Sequence, residues 1–258
     1  MHSQLTDFRL MRWLTWSGPA FIVILFASLL PSHLLPPPSP ATSAADITKL
    51  FIANSIAIRA ACIAMMIAFC FWATFGAAVS VQIRRMESGL PVITYASIAL
   101  VGVNTVILEL IALTWGVAAF RSESLDPEIT RTINDWVWFV FIYTTPPFAI
   151  WIILIGVAVF KDHNQPPIYP RWVGYLSVWN GLILMPSTSM IFFKTGPFAW
   201  NGIACFWLPL IVFTAWYLTM AVMTLKAIKN DEQSGALRSE PDPGIQGSGD
   251  FVSPSRRR

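Results

Sequence analysis

Apolar residues run through this chain in six long stretches, 18–35, 56–81, 92–118, 136–160, 172–193 and 200–225, separated by short polar connections. A hydrocarbon core of about 30 Å is crossed by about 20 mostly apolar helical residues. The pattern therefore predicts an all-α fold, a polytopic membrane helical bundle of six transmembrane helices. A segment 1–17 precedes the bundle at 18–225, and a tail follows at 226–258. From about Asn230 the tail turns to Ser, Gly, Pro and mixed charge with no apolar period, so it is expected to be disordered. Its last residues, Arg256, Arg257 and Arg258, are fewer than a lipid-binding basic cluster needs, and a solvated tail is the simpler reading.

The basic residues between stretches alternate. Arg9 and Arg12 precede the first stretch, Arg84 and Arg85 follow the second, Lys161 and Arg171 flank the loop after the fourth, and Lys226 and Lys229 follow the sixth. All fall on one side, which the positive-inside rule makes cytoplasmic, with both termini there. The first stretch also loosely resembles a secretory signal, given Arg9, Arg12 and the small residues at 41–45. Pro36, Pro37, Pro38 and Pro40 put any such cut far from the apolar segment, so retention is the expectation.

Composition agrees with a lipid setting: 55% of residues are hydrophobic and 12% charged, and the mean hydropathy is +0.59. A formal charge of +3, dispersed over loops and tail, gives no reason to expect nucleic-acid binding. Cys62, Cys70 and Cys205 all lie inside stretches and read as small apolar residues rather than a disulfide framework. His2, His33 and His163 lie outside or at the edges, which argues against a bis-imidazole haem, a His-based metal site or a Ser-His protease within the membrane. No stretch contains a Lys for a Schiff base. No cofactor is expected. Gly18-Pro19 and Gly196-Pro197 occupy inequivalent positions, so no inverted repeat is supported.

The most informative chemistry is a pair of charges inside the membrane, Arg59 in the second stretch and Glu109 in the third. Both fall on the external half of their spans, where antiparallel helices are expected to bring them together. A lone charge at mid-membrane costs about 2.5 to 3.5 kcal/mol, so a partner or a wet cavity is expected. Glu109 shares a face with Gly102, Thr105, Ala112 and Gly116, a small and polar stripe that predicts close helix approach with Glu109 inward. Two readings stay open: a substrate or proton site, and a buried pair that sets helix register. Arg59 can also snorkel to the external interface.

In the fourth stretch Tyr143, Thr144 and Thr145 precede Pro146 and Pro147, which remove two backbone donors and predict a hinge. Such a break lines a ligand cavity or is a packing kink whose Thr hydroxyls supply the missing bonds. The fifth stretch is unusually polar, with Ser177, Asn180, Pro186, Ser187, Thr188 and Ser189, and the Asn180 amide calls for a partner across a helix interface. Trp13, Trp16, Trp115, Trp136, Trp138, Trp172 and Trp200 cluster at span ends and read as interfacial anchors. Asp162, His163 and Tyr169 form a loop cluster that most simply solvates a connection.

The run Phe192-Phe193-Lys194-Thr195-Gly196-Pro197-Phe198-Ala199-Trp200-Asn201-Gly202, with Phe206-Trp207-Leu208-Pro209 after it, resembles a family of uncharacterised bacterial multipass membrane proteins. The resemblance covers the last two spans. It implies a helical fold in a bacterial cytoplasmic (inner) membrane and brings no activity, substrate or site residue.

Walker, Rossmann and His-Glu metal motifs are absent from the sequence. Three expectations of function follow. The first is a non-catalytic membrane component that binds a partner protein or a small hydrophobic ligand. The second is a small proton-linked permease using Glu109 and Arg59, with Asn180, Thr105, Tyr143 and Thr144 as further site candidates and Pro146 and Pro147 as its gate. The third is a membrane-embedded lipid-modifying enzyme. The first is preferred, because one charge pair without a repeat is little transport machinery.

Overall fold

The computed structural model describes residues 2–239, with side chains placed over 7–234. Eight α-helices account for most of it: α1 His2–Leu29, α2 Ala44–Ala53, α3 Ser55–Met86, α4 Val92–Phe120, α5 Pro127–Trp138, α6 Thr145–Phe160, α7 Arg171–Leu184 and α8 Leu208–Ser239. Three irregular helical segments interrupt them, a π-helical turn at Phe139–Tyr143, a 3-10 run at Met185–Phe192 and a second π-helical turn at Ile203–Trp207. Among the described residues there is no strand.

Local chemistry sets the helix starts. Ser43 caps α2, its hydroxyl oxygen accepting from the Asp46 amide, and Asp126 caps α5 ahead of Pro127 at a position that needs no donor. Glu87 reaches across a tight connection to accept the Ile93 and Thr94 amides at the start of α4, at 2.8 and 3.0 Å.

Five helical stretches, Asp7–Leu29, Ser55–Met86, Val92–Phe120, Pro127–Phe160 and Ile203–Ser234, are long and apolar enough to cross a membrane. The expected fifth span at 172–193 departs from this. It is α7, of 14 residues, continued by the 3-10 run. Pro186 removes an amide there, and the Thr188 and Ser189 hydroxyls donate to the carbonyls of Met185 and Pro186 at 2.9 and 2.7 Å. Two boundaries also move. Helix α1 already starts at His2 rather than after a separate segment 1–17, and α8 carries on past 225 to Ser239. The rest of the expected tail, including Arg256 to Arg258, lies outside the described residues.

The alternating basic groups share one end. Arg12 of α1 pairs with Glu232 of α8, Arg85 of α3 pairs with Asp231, and the Asn164 side chain donates to the Arg85 carbonyl at 3.0 Å. The beginning of α1, the end of α3, the loop after α6 and the end of α8 therefore share that end. At the opposite end α2, α5 and the connection after Phe192 meet, with Trp200 donating its indole N–H to the Pro38 carbonyl at 2.8 Å.

An aromatic cluster centres the bundle. Trp72 of α3 stacks on Tyr217 of α8 with centroids 5.3 Å apart and meets Trp151 of α6 edge-on at 5.2 Å and Phe21 of α1 at 5.6 Å. Outside it, Ile63, Val103, Val106, Leu113 and Ile211 are exposed, an apolar belt that water would penalise and lipid accepts. Trp13, Trp16, Trp136 and Trp172 are exposed as anchors should be, but Trp115, Trp138 and Trp200 are buried in helix packing. The loop cluster is also structural: Asp162 accepts the Asn164 and Ile168 amides at 2.9 and 2.7 Å, and buried Tyr169 shares a 2.7 Å hydrogen bond with Thr224.

Candidate functional site

Each irregular segment borders a proline. The first π-helical turn precedes Pro146 and Pro147, the 3-10 run contains Pro186, and the second π-helical turn precedes Pro209. A missing amide frees a carbonyl a turn earlier, and in lipid that carbonyl must be satisfied locally. The Thr145 hydroxyl donates to the carbonyl of Ile142, the one Pro146 leaves free; nearby, the Thr144 hydroxyl donates to the Val140 carbonyl and the Cys205 thiol to the Phe198 carbonyl at 3.2 Å.

All three segments face one cavity of about 110 Å³. Phe141 and Ile142, Ser187, and Cys205 and Phe206 supply one side, and α1, α3 and α8 close the other with Phe21, Trp72 and Thr214 among the walls. The walls are overwhelmingly apolar, yet the Trp72 Nε1, the Ser187 hydroxyl and the Thr214 hydroxyl are buried with no hydrogen-bond partner among the described residues. Trp72 is 0% exposed and Ser187 1%. A buried polar group left unpaired costs about 1–3 kcal/mol, a cost that a guest with matching polar atoms would relieve at these three. An apolar cavity of about 150 Å³ accommodates benzene, which sets the size class of a guest as a single ring or short chain.

Behind this cavity, Asn104 is 0% exposed with neither amide atom partnered, one turn from the wall residue Leu108. By contrast, Ser80, Ser97 and the Trp151 indole form a complete chain of 2.9 Å bonds, and Trp216 donates to Ser177 at 2.9 Å.

The expected Arg59–Glu109 pair is not formed. Cys62 lies against Gly116, Gly76 against Val101, and the Ser80 hydroxyl against that of Ser97, which defines the α3–α4 register. It sets Arg59 nearly a turn beyond Gly116 and Glu109 two turns short of it, about 14 Å apart along the axes. Counted from the centres of 56–81 and 92–118 at about 1.5 Å per residue, Arg59 already lies about 14 Å out and Glu109 about 6 Å, and the run of α3 to Met86 widens the offset. Arg59 is exposed and donates to the Ser55 carbonyl at 3.2 Å. Glu109 is half-buried, with neither a hydrogen bond nor an ion pair of its own among the described residues, rather than turned inward against a base.

The other candidates separate as well. The Thr105 hydroxyl donates to its own helix at Val101, 2.7 Å away. The Asn180 amide donates to the Val212 carbonyl of α8 at 2.8 Å, a tie between helices. Tyr143 is exposed, and Thr144 serves the kink. Pro146 and Pro147 open α6, and it is the neighbouring Thr145 that reaches the cavity wall. Sequence reasoning missed Trp72 and Thr214 as cavity residues and noted Ser187 only as part of an unusually polar stretch. The proline beside each irregular segment was the available signal.

Electrostatics away from the cavity is structural. At the basic end burial opposes the Glu87 charge, but the Thr94 hydroxyl, the Ile93 and Thr94 amides and Arg84 outweigh it and hold the carboxyl below its ordinary value. Burial pushes the Tyr169 phenol well up. Among the described residues no three His, Cys, Asp or Glu converge as a metal site, and Cys62, Cys70 and Cys205 are unpaired. Comparison with protein-family models, with curated proteins and with solved structures gives no match.

Proposed function

We propose that this chain is a non-catalytic membrane component whose central cavity holds a small, mainly apolar ligand carrying an oxygen acceptor. The observation that carries the reading is the convergence of three proline-bordered irregular segments on one apolar cavity with three unpaired donors. Irregular backbone at membrane depth is tolerated where it lines a cavity or is packed in protein, and π-helical turns recur at functional sites. The permease reading needed Glu109 beside Arg59, and their separation removes its support.

In this proposal the chain passes the membrane six times. Helix α7 and the 3-10 run together reach roughly 37 Å, enough for the hydrocarbon core. The end carrying Arg12, Arg85 and Lys229 faces the cytoplasm, and the resemblance carried by 192–209 makes the location a bacterial inner membrane.

A diazirine-bearing phenol, photolysed on the detergent-solubilised full chain, tests the ligand reading. Labelling is expected at 139–147 and 185–192, suppressed by excess phenol and abolished by Ser187→Leu, which fills the cavity. Even labelling along the lipid-facing helices, unchanged by Ser187→Leu, would overturn it.

A further inference from the structure

A second recess lies on the outside of the bundle, between α3 and α4. It is a shallow groove, largely open to the outside, of about 300 Å³, walled by Cys62, Ile63 and Met66 of α3 and by Ala112, Gly116 and Phe120 of α4, among others. The small residues create it: a methyl group at Gly116 would touch only Cys62, at 3.8 Å and beyond. Nearly all its surface is apolar, as a recess for a hydrocarbon chain should be.

Two arginines, neither of them among its walls, stand beyond its outer end. Arg59 stands one helical turn before Cys62 and Ile63 on the same face of α3, near the start of that helix. Arg121 is the residue that ends α4, and its guanidinium lies over the ring of Phe120, 5.3 Å from the centroid. The register derived above brings both to one level, just beyond Gly116. Both are exposed, and neither forms an ion pair among the described residues. Glu109, a turn deeper than Ala112 and two turns from Gly116, is likewise not among the walls.

Two helix ends mark headgroup depth, and the recess runs from there along the helices toward the hydrocarbon core. We propose that this recess binds an anionic phospholipid, with the phosphodiester held between Arg59 and Arg121 and one acyl chain lying along Ile63, Met66, Ala112 and Gly116. A neighbouring helix from a second copy would fill the apolar part but leave two guanidiniums without anions. A phospholipid satisfies both parts, since arginine pairs with phosphate through two parallel N–H donors.

Native mass spectrometry of the detergent-solubilised full chain, with phosphatidylglycerol or phosphatidylcholine added, tests this. The chain is expected to retain phosphatidylglycerol at least fivefold better. Arg59→Gln with Arg121→Gln should reduce that preference at least threefold, while Arg59→Lys with Arg121→Lys keeps most of it. Lys226→Gln with Lys229→Gln, at the other end, should leave it intact. Gly116→Leu should weaken both lipids. An unchanged thermal midpoint of the double Gln variant in lipid-free detergent separates lost binding from lost folding. Three results would overturn the proposal: equal preference in the original chain and the double Gln variant, full competition by glycerol phosphate lacking chains, or a dimer whose formation displaces the lipid.

Discussion

Gly181 lies where α7 crosses α6, and replacing it with Ala tests whether that crossing is held by backbone contact. A methyl group there would sit 2.8 Å from the Ala149 carbonyl oxygen and 2.5 Å from the Ile153 Cγ1. Ile153 can rotate away, but the carbonyl belongs to the opposing backbone, so the helices must part by about 0.6 Å to restore ordinary contact. A gap of that order forfeits a quarter or more of each dispersion contact along the crossing, and overpacking of this kind costs about 1–3 kcal/mol. Gly→Ala also relieves the backbone entropy cost of glycine in a helix, by about 0.5–1 kcal/mol. Gly102, on the exposed face of α4, has nothing within 4 Å of the same methyl, so Gly102→Ala carries that gain alone. The gain cancels when the two variants are compared, leaving Gly181→Ala less stable by about 1–3 kcal/mol. Reversible unfolding in mixed micelles, followed by far-UV circular dichroism across a rising fraction of ionic detergent, reads this difference. Ile153→Ala in the Gly181→Ala background should recover only part of the loss. Equal stability of Gly181→Ala and Gly102→Ala would refute the reasoning.

Two further outcomes are expected. Glu87 caps α4 with its carboxyl held below the ordinary value of 4.5, so its contribution is complete above that pH and is lost as pH falls through the lowered value. Glu87→Gln should cost about 1 kcal/mol near neutrality and flatten the acid limb of a stability–pH profile; an unchanged limb would count against the cap. Arg59→Gln and Glu109→Gln, made singly and together, should give additive effects within about 0.5 kcal/mol in the same unfolding assay, because the two are not in contact. A coupling above about 1 kcal/mol would restore the buried pair that sets helix register.

The candidate site was less legible than the fold for a physical reason. Membrane span and side follow from local properties, the transfer energy of 18 or more apolar residues and the reluctance of Arg and Lys to leave the cytoplasm. Whether two residues meet depends on register, which small differences in helix length shift by whole turns. Arg59 and Glu109 show this: the packed register of α3 on α4 leaves a pair that was expected to meet about 14 Å apart along the axes. The α4 stripe likewise promised a close crossing. Gly102 and Gly116 of that stripe meet no other helix tightly; the close glycine contacts fall at Gly18 on Phe75, at Gly76 on Val101, and at Gly156, Gly174 and Gly181 between α6 and α7.

From sequence alone came the helical class, the lipid setting, five of the spans and the sharing of one end by Arg12, Arg85, Lys161 and Lys229. The prolines at 146, 147, 186 and 209 also marked where helices would deform. Tertiary structure alone decided that the deformed segments converge on one cavity, that Trp72, Ser187 and Thr214 bring unpaired donors to it, and that Arg59 and Arg121 crown a separate groove. Apolar periodicity is set by each residue's own solvation, whereas convergence is set by how whole helices pack, and no single stretch of chain carries that information.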